Sequence, residues 1–302
     1  MQHPPIYILG QGAIGSLLAA KGQESKLNTI QIVRGDTDKN SRVELNDTVQ
    51  HLRSKTRLKN IKSIDFLVIP TKAYDVENVL KELKPLLTYG SQVIVSHNGL
   101  GTIELCKTLI GDIADIYFCT TSTGAYAKNN VIHLAGIGKS EWALVSKSPL
   151  VEDKIGKELN VKSVISTLFF NATQVSDILP VLWNKLAVNA VINPISAIHN
   201  CLNGGVLDHQ HQQLTTSILE ELVLVAKQQG LELKINELKK LVVDVANQTK
   251  HNSSSMREDV LNGRQTEIDF INGYIANQAS LYQIPAPANT YITSEIKALQ
   301  RL

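Results

Sequence analysis

The sequence predicts an α/β protein with an N-terminal doubly wound parallel sheet and an all-α C-terminal domain. Over the first half of the chain, short apolar runs typical of buried strands alternate with helical patterns. This alternation is the signature of β–α–β units in a parallel sheet. Beyond about residue 176, apolar residues recur at helical spacing in long segments. We therefore expect two domains, residues 1–176 and residues 177–302.

The first predicted strand runs directly into a glycine-rich turn. Ile6 to Leu9 (IYIL) indicates a short buried strand, GQGAIG follows at residues 10–15, and SLLAAKG continues as a helix. In this context Gly10 allows the tight turn, Gly12 leaves room for a pyrophosphate, and Gly15 lets the helix pack on the strand. The positive end of the helix would bind the phosphates. The sequence thus predicts a Rossmann-type dinucleotide site, with a chance glycine-rich turn as the alternative.

The second predicted strand, Thr29 to Val33 (TIQIV), ends at Arg34, which bears on the choice of cofactor. A carboxylate at this position would bind the ribose 2′-hydroxyl of NAD, whereas an arginine suits the 2′-phosphate of NADP. Asp36 lies close by, and a solvated surface arginine is the alternative interpretation. The arginine favours NADPH as the cofactor.

Two further strands are predicted at Asp65–Ile69 (DFLVI) and Gln92–Ser96 (QVIVS), separated by the helical segment YDVENVLKELKPLL. Each runs into a polar tip, which carries Lys72 after the first strand and Asn98 after the second. Ligands of doubly wound sheets bind beyond the carboxyl ends of the strands, so both side chains are candidate ligands. A solvated loop lysine and a turn asparagine are the alternatives.

Three later β-like runs lie at Ile116–Thr120, Asn130–Leu134 and Trp142–Val145, joined by short links that contain glycines. Because no helix of normal length separates these runs, we expect them to be antiparallel additions to the sheet. His133 lies within one of them, where a structural histidine is favoured over a catalytic one.

The segment ILPVLWNKLAVNAVINP at residues 178–194 is almost entirely apolar, except for polar residues that include Lys185, Asn189 and Asn193. Their four-residue spacing places these three side chains on one face of a helix. Burying them is costly unless each finds partners. These three side chains, the polar stripe of the helix, are therefore either a satisfied internal network or a catalytic site. In such a site an ammonium would donate a proton beside amides that bind an oxygen-rich substrate.

More long helices are predicted after this segment. They are LTTSILEELVLVAKQQG ending at Gly230, INELKKLVVDVANQT, and a last large helix from about Glu267 that stops before Pro285 and Pro287. Glycine just after a helix and proline beyond it are common stop signals. The C-terminal part is therefore expected to be helical throughout.

Two polar clusters in this part have structural explanations that compete with functional ones. Ser255 and Glu258 form an S-x-x-E capping box, which predicts Ser255 as a helix N-cap. Glu267 would lie in the first turn of the last helix, where the helix dipole stabilises a negative charge. The alternative for Glu267 is to pair with a catalytic ammonium and orient it.

Composition excludes several functional classes. The net charge is +2, from 30 basic and 28 acidic residues, which gives no support for a nucleic-acid or membrane-surface role. No uncharged apolar run approaches the length of a membrane span. Three scattered cysteines fit thiols in a reducing cytoplasm, and no residue set suggests a metal site. We therefore expect a cytoplasmic protein with a small-molecule substrate.

Several stretches together resemble the ketopantoate reductase (2-dehydropantoate 2-reductase) family over essentially the full length. They are LGQGAIGSLLAA, Thr71-Lys72, HNG at 97–99, TTSTGA at 120–125, NKLAVNAVINPISAIHNCLNG at 184–204 and SSM…NGRQTEIDFINGYI at 254–275. The KLAVN-x-x-INP and TEID-x-I-x-G blocks are specific, whereas GxGxxG is shared with many dehydrogenases. The resemblance implies NADPH-dependent reduction of ketopantoate to (R)-pantoate, for pantothenate and coenzyme A biosynthesis.

The resemblance also implies roles for individual residues. Lys185 matches the family's catalytic lysine, which protonates the ketone oxygen, and Glu267 matches the glutamate associated with that chemistry. Residues that match substrate contacts are Asn98, Asn189, Asn193 and Ser255. Positions that match the NADPH site are Gly10, Gln11, Gly12, Ala13, Ile14, Gly15, Arg34, Lys72, Asn98 and Glu267.

Two departures from the family pattern, and three rival functions, remain open at this point. His97 stands where many members have glutamine, and the stretch between Gly22 and Arg34 suggests a longer first helix. The rivals are a reductase of another 2-oxo acid, a non-catalytic NADP(H)-binding regulator, and an NADP-dependent dehydrogenase of a 3-hydroxy acid. The sequence is compatible with a monomer or a homodimer.

Overall fold

The computed structural model describes residues 4–34, 42–53, 55–149 and 160–300, and Asp36 lies outside this part of the chain. The strands are β1 (Ile6–Leu9), β2 (Thr29–Val33), β3 (Arg42–Leu45), β4 (Thr48–His51), β5 (Lys55–Arg57), β6 (Ile64–Ile69), β7 (Leu87–Val95), β8 (Ala114–Thr121), β9 (Gly124–Lys128), β10 (Val131–Gly136), β11 (Ser140–Ser146) and β12 (Ala172–Gln174). The helices are α1 (Ala13–Glu24), α2 (Val76–Leu83), α3 (Thr102–Ile110), α4 (Val161–Leu168), α5 (Leu179–Ile198), α6 (Gln212–Gln228), α7 (Ile235–Gln248), α8 (Ser255–Leu261), α9 (Asn272–Leu281) and α10 (Pro287–Leu299).

Internal contacts separate the chain into two compact units. The sheet unit comprises Met1–His97 and Thr102–Ile178, and the helical unit comprises Asn98–Gly101 and Leu179–Leu302. The short segment Asn98–Gly101 therefore groups with the helices, although it follows soon after β7 in the sequence. The boundary expected after residue 176 stays a prediction from the sequence.

The sheet unit is built on an eight-stranded sheet in the order β12-β11-β8-β7-β6-β1-β2-β5. Pairing is parallel from β5 through to β8. The central strand β6 is buried on both faces, since its consecutive residues Leu67, Val68 and Ile69 are all fully buried. Strands of parallel sheets that helices cover on both faces typically consist of such continuous apolar runs. The predicted α/β class with a doubly wound sheet is confirmed.

The three late runs do not all behave as expected. Ile116–Thr120 lies in β8, which pairs in parallel with β7. The prediction of an antiparallel strand was wrong there because α3, a nine-residue helix, provides the crossover. Asn130–Leu134 overlaps β10, which belongs to a separate sheet in the order β4-β3-β10-β9. Only Trp142–Val145, in β11, is the antiparallel addition that was expected.

The four-stranded sheet covers part of α1. The hydrophobic core that includes Leu17 and Leu18 of α1 also contains Val43, Leu45 and Ile132 from this second sheet. His133 Nδ1 is hydrogen-bonded to Glu44 of β3, and the His133 ring stacks on Tyr126 of β9. These contacts agree with the structural role expected for this histidine.

The helical unit surrounds α5. This helix contacts α6, α7, α8 and α10, and its residues Leu182, Trp183 and Leu186 are buried. Helix α6 is followed by Gly230, which has φ +80, as a glycine stop signal predicts. None of the helices in the described ranges combines the length and hydropathy that a membrane-spanning helix needs.

The last part of the chain differs from the prediction. Glu267 does not begin a long helix, because a short 3₁₀ turn at Ile268–Phe270 comes first and Ile271 interrupts the helical backbone with φ −110 and ψ −97. Helix α9 begins only after that residue. A further helix, α10, begins at Pro287, which had been interpreted as a stop signal. Proline is also favoured in the first turn of a helix, since its missing N–H has no intrahelical partner there.

Candidate active site

The glycine-rich turn of the sheet unit has three distinct local environments. Gly10 has φ +89, a left-handed conformation that favours glycine. A Cβ added at Gly12 would meet nothing within 4 Å, whereas one at Gly15 would lie 3.0 Å from the Gly10 carbonyl oxygen and 3.4 Å from Pro70 Cγ. The turn is therefore open at Gly12 and closely packed behind Gly15. An approaching pyrophosphate needs this combination.

The start of α1 suits a bound anion. Gly12 precedes the helix without a side chain that could cap it, and the first turn contains no acidic residue. The first amide N–H groups of a helix lack intrahelical acceptors and form the positive end of its dipole. The open approach at Gly12 leads to these groups, so the turn fits the diphosphate of a dinucleotide.

Gln31 fixes this turn and was missed by the sequence reasoning. It is fully buried in β2, and its Nε2 donates to the Gly10 carbonyl oxygen at 2.8 Å and to Ser16 Oγ at 3.2 Å. A buried amide is costly without such partners. The available signal was a polar residue in the middle of the apolar run TIQIV.

Arg34 lines an open pocket of about 370 Å³ at the end of β2, together with Val33, Arg57, Leu58 and Glu82. The sheet register pairs Val33 with Arg57, which brings the two arginines to neighbouring strand ends. Arg34 Nη2 contacts Glu82 Oε2 at 2.7 Å, and both side chains are about half-exposed. The pocket thus combines two guanidinium groups with one carboxylate.

Lys72 and His97 lie at the strand ends where the sequence placed them. Lys72 is half-buried and directly precedes a 3₁₀ turn at Ala73–Asp75. His97 is buried, with its Nε2 at 2.6 Å from Thr102 Oγ1 and its ring edge-on to Phe118. The departure from the family's glutamine is therefore accommodated by packing and a hydrogen bond within the sheet unit.

In the helical unit, Asn98 and Glu267 are brought together from positions 169 residues apart. Asn98 Nδ2 donates to Glu267 Oε2 at 3.0 Å, and Glu267 is only 4% exposed. The backbone supports this contact, since Leu100 N donates to the Phe270 carbonyl oxygen at 2.9 Å. A Cβ at Gly99 would lie 2.2 Å from that same oxygen, so the two segments require glycine there. Glu267 is therefore a buried carboxylate with a specific amide donor, which makes it a candidate functional group of the helical unit.

Helix α5 carries Lys185, Asn189 and Asn193, as the spacing predicted. Lys185 and Asn189 are half-buried and Asn193 is buried, 7% exposed. Helix α5 continues beyond Asn193 through Pro194 and ends at Ile198. The stripe thus runs from the half-buried Lys185 into the interior of the helical unit.

Ser255 is not the N-cap that the S-x-x-E pattern predicted. Ser254 caps α8 instead, with its Oγ accepting from Arg257 N at 3.1 Å and lying 2.7 Å from Ser196 Oγ. Neighbouring serines make the capping register ambiguous in sequence. Ser255 is exposed in the first turn, so its hydroxyl is not used by the cap.

The groups of the helical unit provide the chemistry of proton transfer to an oxygen-rich molecule. Lys185 is a cationic donor, Glu267 is a buried carboxylate, and the amides and the Ser255 hydroxyl can bind carboxylate or hydroxyl oxygens. Among the described residues, no group of three or more His, Cys, Asp or Glu side chains could hold a metal ion.

Comparison with protein families identifies both halves of the chain. Residues 6–146 match the model described as "Ketopantoate reductase PanE/ApbA", and residues 177–300 match "Ketopantoate reductase PanE/ApbA C terminal". The 2-dehydropantoate 2-reductase of Vibrio cholerae is 29% identical over 300 residues, covering 98% of each chain. The enzyme of the same name from Escherichia coli O157:H7 is 31% identical over 233 residues, covering 77% of this chain and 73% of its own.

Solved structures share the fold at low sequence identity. D-mandelate dehydrogenase with NADH and anilino(oxo)acetate superposes with a TM-score of 0.86 at 21% identity, over 99% of each chain. A PanE/ApbA family ketopantoate reductase from Ralstonia eutropha JMP134 gives a TM-score of 0.85 at 19% identity, again over 99% of each chain. Because the two family models together span most of the sequence, the chain belongs to the ketopantoate reductase PanE/ApbA family.

Proposed function

We propose that this protein is a 2-dehydropantoate 2-reductase, which uses NADPH to reduce ketopantoate to (R)-pantoate. The observation that carries the proposal is the hydrogen bond from Asn98 to the buried Glu267, in the unit whose longest helix presents Lys185. Family membership and the names of the relatives from Vibrio cholerae and Escherichia coli support it.

NADPH, when bound, would supply a hydride to the C2 carbonyl carbon of the substrate. Residues 10–15 would hold its diphosphate at the start of α1, supported by the open space at Gly12. Arg34 would bind the 2′-phosphate, and its place in a pocket with Arg57 supports this assignment. Lys72 would contact a phosphate or ribose.

Lys185 would act as the general acid. Negative charge develops on the carbonyl oxygen of a 2-oxo acid as it is reduced, and an ammonium stabilises that charge and then supplies the proton. A lysine is ordinarily protonated at neutral pH, so this direction of reaction needs no special activation. Glu267 would orient the ammonium or hold a substrate hydroxyl, and the hydrogen bond from Asn98 fixes its carboxylate.

The remaining polar groups would bind the substrate. Asn189 and Asn193 offer amide N–H donors and carbonyl acceptors on the same helical face as Lys185. Ser255 offers an exposed hydroxyl in the first turn of α8. Together they suit the carboxylate and the 4-hydroxyl of ketopantoate.

A cytoplasmic location, and a monomer or homodimer as the assembly, remain proposals. The cysteines support a reducing compartment, since Cys106 and Cys119 are buried and no disulfide forms in the described part of the chain. A dimeric ketopantoate reductase from Staphylococcus aureus has the same fold, with a TM-score of 0.81 at 18% identity.

A substrate panel tests the proposal. The rate of NADPH oxidation should be measured with ketopantoate and, at matched concentrations, with pyruvate, 2-oxoisovalerate and phenylglyoxylate. We expect ketopantoate to have the highest kcat/KM, and the product to be pantoate by chromatography. A higher kcat/KM for another 2-oxo acid would identify that acid, and not ketopantoate, as the substrate. If none of the four 2-oxo acids is reduced, a non-catalytic nucleotide-binding role is favoured.

A further inference from the structure

Helix α5 contains a proline where the backbone needs a hydrogen-bond donor. Pro194 lies within the helix, and proline has no N–H to donate to the carbonyl four residues earlier. That carbonyl belongs to Ala190, which is fully buried and away from water. A buried carbonyl without a donor is destabilising, so a substitute is needed.

Asn272 supplies the missing donor from another helix. Its Nδ2 donates to the Ala190 carbonyl oxygen at 3.0 Å, and the whole residue is 0% exposed. Asn272 is the first residue of α9 and follows Glu267 by five positions. The bond therefore joins the helix of Lys185 to the segment of Glu267.

A second layer of hydrogen bonds orients the Asn272 amide. Asn272 Nδ2 also donates to Asn289 Oδ1 at 3.0 Å. Asn289 Nδ2 in turn donates to Glu221 Oε2 at 2.6 Å, and Glu221 accepts from the backbone N–H groups of Ala288 and Asn289 as well. This buried network runs from α6 through α10 and α9 to α5, so the Asn272 side chain has little freedom to turn away.

We infer that Asn272 is a positioning residue, which replaces the amide lost at Pro194 and thereby sets α5 relative to Glu267. The Ala190 carbonyl lies next to Asn189 and five residues after Lys185. A shift of α5 at this point would move both side chains relative to the Asn98–Glu267 pair. The inference rests on the proposed function only for the roles of Lys185 and Glu267. The replacement of the helical donor stands on geometry alone.

A double-mutant cycle tests the replacement of the donor. Asn272→Ala removes the substitute donor, while Pro194→Ala restores a backbone N–H that can reach the Ala190 carbonyl oxygen. We expect Asn272→Ala to lower the melting temperature clearly in the native background and much less in the Pro194→Ala background. Gln229→Ala is the matched control, because the side-chain hydrogen bonds that it removes go to Tyr274 and Gln278 of α9 and not to the backbone of α5. Its effect should add to that of Pro194→Ala.

Kinetics tests the positioning role. For folded variants we expect Asn272→Ala to lower kcat for ketopantoate about tenfold or more, with the Kd for NADPH unchanged and partial recovery in the double variant. Equal melting losses in both backgrounds, or an Asn272→Ala chain that stays unfolded in both, would overturn the inference. So would a loss of stability with unchanged kcat. If the wild-type protein reduces no 2-oxo acid, the proposed function fails. The melting temperatures of the double-mutant cycle still decide whether Asn272 replaces the backbone N–H that Pro194 lacks.

Discussion

At the scale of single residues, the sequence located the polar side chains but not all of their partners. Glu267 and Asn98 were identified from their positions, yet their hydrogen bond joins segments that no local pattern connects. Ser255 was assigned as an N-cap, whereas Ser254 has that role. Such contacts depend on tertiary packing, which a pattern of three or four residues does not contain.

The charge balance around Arg34 predicts the cofactor preference. Arg34→Ala should weaken NADPH binding about tenfold or more, because the proposed charge-assisted contact to the 2′-phosphate would be lost. Glu82→Gln should strengthen it, since Glu82 competes for Arg34 and would repel the phosphate. NADH binding should change little in either variant, as measured by equilibrium titration of cofactor fluorescence.

A matched control for Glu82 lies on the same helix. Glu77 pairs with Lys81 at 2.6 Å and is similarly exposed, but it does not line the Arg34 pocket. Glu77→Gln should leave the affinities for NADPH and NADH unchanged. Equal effects of Glu77→Gln and Glu82→Gln on NADPH affinity would mean that general surface charge, and not the pocket, controls binding.

His211 predicts a pH dependence of stability in the helical unit. Burial, followed by the nearby His199 ring at 4.3 Å, lowers the pKa of His211 below its usual 6.5, while Asp208 opposes the shift. The unfolded chain therefore binds the proton more readily, so stability is fully present above about pH 6.5 and falls as the pH drops below it. Melting temperatures from pH 7.5 to 5.0 should fall less steeply in His211→Gln than in wild type. The exposed neighbour variant His209→Gln should keep the wild-type slope.

At the scale of secondary-structure elements, periodicity predicted the long buried segments and failed on short or polar ones. β1, β2 and α5 were found because their apolar residues are continuous or regularly spaced. β4 has mostly exposed side chains, so it lacks an apolar signal. Helix α10 was missed because Pro287 can either end a helix or begin one.

The turn between β1 and α1 gives a prediction that separates binding from folding. Gly12→Ala should keep the wild-type melting temperature, since the added Cβ meets nothing within 4 Å, but it should weaken NADPH and NADH alike by blocking the diphosphate. Gly15→Ala should lower the melting temperature, because its Cβ would lie 3.0 Å from the Gly10 carbonyl oxygen. Calorimetry and cofactor titration of both variants check this pair. Unchanged cofactor affinity in Gly12→Ala would contradict a diphosphate site at this turn.

At the scale of the whole molecule, the α/β class and the family were predictable from sequence, while the sheet composition was not. The GQGAIG turn and the KLAVN and TEID blocks are local and specific enough to identify the family. The division of the strands into two sheets depends on long-range pairing, such as β3 with β10, whose paired residues Val43 and Ile132 lie far apart in the sequence. The local sequence pattern of either strand does not indicate which distant strand it pairs with.

The most direct test of the account is turnover of ketopantoate with NADPH by Lys185→Ala beside the neighbouring control Asn184→Ala, whose side chain is exposed on the same helix. A general acid typically contributes about 10²- to 10⁴-fold, so we expect kcat to fall at least about a hundredfold in Lys185→Ala and little in Asn184→Ala. The Kd for NADPH should be the same in both variants. Wild-type turnover by Lys185→Ala would contradict the assignment of Lys185 as the proton donor.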